Sequence, residues 1–241
     1  MQLLNEALFL PAGESALVVE FGTAIDPALH DRVLALDAAL KAADLPGIVE
    51  MVPTYRSLMI HFEPRRWSFD ALVAALRGLE AATAAAHVTP RHWVVPACYE
   101  ADCAEDLHEV AKALALAPER VAALHAGATY RVYMYGFAPG YAFLGGLPDE
   151  LMISRRPSPR PPIPAGALLI AAGQALIANM PMPTGWYEIG RTPARTFDLR
   201  HEPPVLLHAG DQVRFEPVDL AGFRRLEAEA ARGEPVIRRE A

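Results

Sequence analysis

Two apolar periods organise the first ninety residues: short β-rich runs separated by stretches in which apolar side chains recur every three or four positions. Ser15 to Phe21 reads as a strand that stops at Gly22. Asp26 then offers an N-cap and Pro27 a first helical residue, and Leu29, Val33, Leu36 and Leu40 form one apolar stripe. Pro46-Gly47 ends that helix. Strands follow at Ile48 to Val52 and Leu58 to Phe62, joined by Pro53–Arg56. Ser68 is the expected cap of a second helix with Phe69, Leu72, Val73, Leu76 and Leu79 on its apolar face, closed by the alanine-rich run Ala81 to Ala86.

A strand at Trp93–Pro96 would complete β-α-β-β-α-β, a ferredoxin-like arrangement. Beyond Cys98 the period changes. Residues 105–116 and 118–126 read as helices, the second opened by Pro118. From Tyr130 onward helical spacing disappears. Short runs at Tyr130–Tyr135, Ala167–Ala172, Leu176–Asn179, Val205–Leu207 and Val213–Phe215 alternate with Pro/Gly clusters, which predicts an all-β barrel or sandwich. The charged segment from Ala221 predicts a fraying surface helix. The expected organisation is therefore α+β, with domains at 1–90 and 91–220, a tail at 221–241 and a break near residues 86 to 92.

Composition narrows the class. The apolar fraction of 52% and charged fraction of 21% suit a globular chain, and the net charge of −7 argues against nucleic acid as a partner. No run reaches the roughly 18 to 20 apolar residues that span a bilayer. The N-terminus lacks the features of a signal peptide, so the expected location is the cytoplasm. Cys98 and Cys103 read as unpaired thiols, with a disulfide as the alternative, and no residues show metal-ligand spacing.

The densest anomaly is Tyr133-Met-Tyr-Gly-Phe-Ala-Pro-Gly-Tyr-Ala-Phe-Leu-Gly-Gly-Leu-Pro148, with four glycines, two prolines and five aromatics in sixteen residues. That composition suits neither helix nor central strand, and its aromatics are too dense for a solvated loop. It predicts an ordered, partly buried loop that lines a site or a subunit contact. Three further blocks follow: Ile163–Gln174, Gly185-Trp-Tyr-Glu-Ile-Gly-Arg-Thr-Pro193 and Ala209–Pro217.

In that order the four blocks resemble the KipI/PxpB family, also described as allophanate hydrolase subunit 1, over roughly residues 13 to 218. The resemblance implies an N-terminal ferredoxin-like domain and a C-terminal cyclophilin-like β-barrel. It also implies an enzyme subunit, the B component of an ATP-dependent 5-oxoprolinase that opens the pyroglutamate lactam to glutamate. Its partners would be a KipA/PxpC-type subunit and a third, LamB-type subunit. ATP with Mg would be bound by the assembled complex, since the chain has no Gly-x-x-x-x-Gly-Lys-Ser/Thr loop. Other members imply alternatives: inhibition of a sensor histidine kinase, or the carboxyltransferase part of urea-carboxylating enzymes.

Carried onto this chain, the resemblance offers Arg191 as an anion-facing group, or else a structural ion pair at a barrel rim. It offers His125 as a general acid or base, or else a helix C-terminal cap. Gln174 would bind a substrate amide or satisfy buried backbone, and Gly136, Phe137, Pro139, Gly140 and Thr192 would contact substrate. Arg155, Arg156 and Arg160 read as a solvated loop, with contact to an acidic partner as the alternative. The chain departs from the family after Gln174: Ala175, Ala178, Met182 and Thr184 replace Thr, Tyr, Ser and Gly. That departure makes a related amide, lactam or carboxylated urea credible as substrate.

Overall fold

The computed structural model describes residues 6–83 and 89–240, which fall into two compact units, Met1–Thr89 and Pro90–Ala241. The break expected at residues 86 to 92 and the end of the alanine-rich run lie partly outside the described residues.

The first unit contains β1 (Leu8–Pro11), β2 (Ala16–Glu20), α1 (Pro27–Ala43), β3 (Ile48–Pro53), β4 (Ser57–Phe62) and α2 (Phe69–Thr83). The predicted caps form: Asp26 Oδ1 accepts the Ala28 N–H at 2.7 Å, and Ser68 Oγ accepts from Ala71 at 3.2 Å. The sheet is antiparallel, in the order β1-β2-β4-β3. Because side chains alternate across a strand, Leu17 and Val19 of β2 and Leu58, Ile60 and Phe62 of β4 share one face. They form a single core with Leu29, Val33, Leu36, Leu72 and Leu76 of the helices.

Trp93–Pro96 is not the closing strand of this sheet. The place beside β2 is taken by β1, a segment without a readable pattern, and the expected strand belongs to the second unit. There, β5 (His92–Ala97) lies between two neighbours and is buried at five of its six positions, an environment that suits a continuous apolar run.

The second unit continues with α3 (Leu107–Ala113), α4 (Pro118–Gly127), β6 (Thr129–Tyr135), β7 (Ala142–Gly145), β8 (Arg160–Ile163), β9 (Ala167–Ala171), β10 (Gln174–Ile177), β11 (Met182–Thr184), β12 (Tyr187–Arg191), β13 (Gln212–Pro217), α5 (Leu220–Ala231) and β14 (Arg238–Glu240). Eight strands run β12-β9-β10-β7-β6-β13-β5-β14, with β5 and β13 parallel, while β8 and β11 pair separately. The ladder is open at β12 and β14. One antiparallel bridge ties β12 to the residue after β5, where Cys98 and Arg191 exchange backbone hydrogen bonds of 2.8 and 2.9 Å.

Three expectations change here. Part of the glycine-aromatic stretch is strand: β6 and β7 form a hairpin with residues 136–141 as its tip. Val205 to Leu207 supplies only a bridge from Val205 to Phe197. The segment from Ala221 is not a frayed tail. Asp219 caps α5 through Gly222 N–H at 2.7 Å, Phe223 and Ala230 are buried, and β14 pairs with β5. The apolar positions that anchor this segment are too few to outweigh its charges when the sequence is read alone.

Candidate functional site

The hairpin tip is shaped by backbone that ordinary residues avoid. Gly140 has φ +68°, and a Cβ there would lie 2.6 Å from Phe197 Cβ and 3.2 Å from the Thr196 carbonyl. Thr196 Oγ1 in turn donates to the Gly140 carbonyl at 3.1 Å. Phe137 has φ +73° without being glycine and stands 80% exposed. For a bulky residue this is a strained conformation, and such strain gathers at sites.

From this tip a row of aromatic rings descends onto the sheet. Ring centroids of Phe137 and Tyr141 are 5.7 Å apart, Tyr141 and Phe143 6.0 Å, and Phe143 and Trp186 6.3 Å. With Leu176, Met182 and Thr184 they wall a cavity of about 350 Å³. Burial pushes the Tyr141 hydroxyl up to about 12, so it stays a neutral donor. The one charged group on the wall is Arg155, which has no partner among the described residues.

Behind Arg155 lies a charge cluster that the solvated-loop reading missed. Arg156 donates to Asp106 Oδ1 at 2.9 Å and to Glu109 at 2.5 Å; Arg160 pairs with Asp106 Oδ2 and with Glu105, both at 2.5 Å. Asp106 Oδ2 also accepts the Glu188 N–H at 2.8 Å. Arg156 lies 4.3 Å from the centroid of the Tyr187 ring, and its own N–H reaches the Gly185 carbonyl at 2.8 Å. A carboxylate as deeply buried as Asp106 requires matched cations, which draws Arg156 and Arg160 inward from a proline-rich surface segment. Three arginines within six residues, ahead of the Glu188 block, were the signal available in the sequence.

Arg191 belongs to the same cluster. Its Nε and Nη2 donate to Glu188 Oε1 at 3.2 and 2.7 Å, and Glu188 is wholly buried. Burial pushes the Glu188 carboxyl up while Arg191 draws it back down. Thr192 is buried, accepting from Ala194 N–H at 3.1 Å and donating its own N–H to the Gly166 carbonyl at 2.8 Å. His125 is enclosed by aromatic rings: it stacks on Phe215 at 4.6 Å, and its Nδ1 lies 2.7 Å from the Tyr99 hydroxyl. Burial alone lowers its pKa from 6.5 to about 3, so the imidazole is neutral.

The predicted residues are therefore not gathered in one place. Phe137 lines the cavity; Gly136, Pro139 and Gly140 build the tip that holds it, and none of the three lines it. Gln174 starts β10 opposite Ala171, while Ile177 at the other end pairs with Ala142 beside the tip, which puts Gln174 roughly 10 Å along the strand. Of the four departures from the family pattern, Met182 and Thr184 line the cavity, whereas Ala175 and Ala178 are core residues.

The two units together carry a carboxyltransferase-type fold. The family model for "Carboxyltransferase domain, subdomain C and D" matches residues 7–207. The B component of the Bacillus subtilis 5-oxoprolinase is 34% identical over 229 residues, covering 90% of this chain and 95% of that protein. The crystal structure of TTHA0988 in space group P212121 has a TM-score of 0.75 at 37% identity, covering 84% of this chain and 40% of that one. The Kluyveromyces lactis urea carboxylase shares the fold, with a TM-score of 0.78 at 19% identity, covering all of this chain and 25% of that one. The chain belongs to the carboxyltransferase subdomain C and D family, the KipI/PxpB group that its four blocks resemble. No helix among the described residues is long and apolar enough to cross a membrane.

Proposed function

We propose that this chain is the B-type subunit of an ATP-dependent 5-oxoprolinase-type hydrolase, acting in the cytoplasm with a KipA/PxpC-type subunit and a LamB-type third subunit. The observation that carries the reading is the match, over 90% of this chain and 95% of the relative, to a protein named as the B component of a 5-oxoprolinase. In this reading the first unit is a ferredoxin-like domain permuted so that β1 fills the fourth place. The second is a cyclophilin-like barrel fastened at the Cys98–Arg191 bridge.

The aromatic cavity then takes the substrate. A lactam ring lies against Tyr141, Phe143 and Trp186, and its carboxylate meets the Arg155 guanidinium, which presents two parallel donors. The walls exclude water and fix the ring's orientation, so this chain contributes positioning. Arg191 remains an anion-facing group in this reading, its fork shared with Glu188. His125, neutral and enclosed, supports β13 through Phe215 instead of carrying a proton.

ATP with Mg supplies amide activation in the assembled enzyme. The cavity of this chain does not fit a triphosphate: it has one guanidinium, and neither of the chain's two lysines, Lys41 and Lys112, lines it. No step is assigned to ATP on this chain. The test is reconstitution with the C-type and LamB-type subunits, followed by an assay of ATP-dependent glutamate release from 5-oxoproline. An assembled complex of verified stoichiometry that releases none refutes the reading.

A further inference from the structure

The C-terminal segment closes over a second cavity, of about 280 Å³, that shares no lining residue with the first. Trp93 of β5 forms one wall, Leu206 and Pro204 another, and Ala230, Val236 and Ile237 the third. Each wall is fastened. The Trp93 indole N–H donates to Asp211 Oδ2 at 2.9 Å, and β14 pairs with β5. Arg200 joins the 195–206 segment to α5, donating to Asp198 at 2.9 Å and to the Ala231 carbonyl at 3.4 Å. The cavity is thus preformed, so a ligand would order little on entering.

Its size and lining separate it from a packing defect. An engineered apolar cavity of about 150 Å³ already binds benzene, and carbon-lined space offers ordered water few partners. The charges at the mouth are matched with one exception. Asp198 is held by Arg200, and Glu234 by Arg232 at 2.6 Å. Arg195 lines the cavity and has no partner among the described residues.

From an apolar body site next to one uncompensated cation, we infer that this cavity binds a small carboxylate with a flat apolar body. Arg91 and Arg239 already lie over the Trp93 ring, at 5.2 and 6.0 Å from its centroid, so the body packs between Trp93, Leu206 and Val236, and the carboxylate meets Arg195. The site requires neither ATP nor a partner subunit, so it stands or falls separately from the 5-oxoprolinase reading.

Trp93 provides the reporter, because the other two tryptophans, Trp67 and Trp186, lie elsewhere. In the full chain carrying Trp67→Phe and Trp186→Phe, phenylacetate is titrated against Trp93 emission, with benzyl alcohol and phenethylamine as neutral and cationic analogues. Phenylacetate should give a saturable change and bind about tenfold more tightly than either analogue. Arg195→Ala should remove that advantage. No saturable change, equal response to all three compounds, or full phenylacetate binding by Arg195→Ala overturns the proposal. Ala230→Leu and Val236→Phe narrow the cavity from two positions on its third wall. Weakened binding in whichever variant keeps the wild-type circular dichroism supports the site, and undiminished binding there refutes it.

Discussion

Replacing His125 by Phe tests whether this imidazole carries a proton or only packs. In the folded chain His125 is fully enclosed, with its Nδ1 beside the Tyr99 hydroxyl and its pKa lowered from 6.5 to about 3 by burial. The unfolded chain takes up a proton as the pH falls below 6.5, while the folded chain resists until about 3. Stability contributed by the neutral imidazole is therefore complete above 6.5 and is lost as the pH falls through that window. At about pH 4.5 the loss amounts to about 3 kcal/mol at roughly 1.4 kcal/mol per pH unit. Phe also forfeits the Tyr99 hydrogen bond and changes the stack on Phe215, but both costs are independent of pH and cancel in a difference between two pH values. Urea unfolding of both proteins at about pH 7 and 4.5 should show wild type losing about 3 kcal/mol more than His125→Phe between them. Equal losses would mean that His125 titrates near its ordinary value in the folded chain and is open to solvent, returning it to the candidate acid–base groups.

Asp106→Ala should cost about 2–4 kcal/mol in urea unfolding, because it leaves the buried Glu188 N–H without an acceptor, while Arg156 and Arg160 keep Glu109 and Glu105. Asp106→Asn, which retains an acceptor, should cost less; equal costs would contradict the role assigned to that N–H. Gly140→Ala should destabilise by about 1–3 kcal/mol, since its φ is +68° and Phe197 Cβ lies where the new methyl group must go. A thermal midpoint unchanged from wild type would mean that the tip can open. Arg155→Ala in the assembled enzyme should raise KM for 5-oxoproline about tenfold with the melting temperature unchanged. A fall in kcat with KM preserved would place Arg155 away from the ground-state carboxylate.

Local signals in the sequence identified what local interactions make. The caps at Asp26 and Ser68, the two helices of the first unit, and strands at Leu58–Phe62 and Val213–Phe215 follow from side chains that meet within a few residues. Pairings between distant segments were not legible. β1 and Trp93–Pro96 exchange roles because strand partners are supplied by distant segments: β5 is flanked by β13 and β14, which lie more than a hundred residues further along the chain. The KipI/PxpB resemblance was legible because it rests on contiguous blocks, whose turn glycines and prolines are dictated by the backbone at their own positions. The lining of the cavity was not, since Arg155 and Trp186 become neighbours only when β8 and β11 pair.

The glycine-aromatic motif and the chemistry of the site are thus borne by different residues. Gly140 shapes the turn and Phe137 takes its strained exposure from it, but the one charge on the cavity wall sits on Arg155, outside all four blocks. Arg155 itself is placed from behind. Its neighbour Arg156 is pinned by Asp106, by Glu109 and by the bond from its N–H to the Gly185 carbonyl. Backbone held at residue 156 leaves residue 155 little freedom beyond its own side-chain rotamers. The Asp106 cluster accordingly acts on the cavity through one peptide unit, and Asp106→Ala should weaken ligand binding at Arg155 as well as stability. Preserved affinity in a folded Asp106→Ala chain would show that the arginine finds its place without the carboxylates behind it.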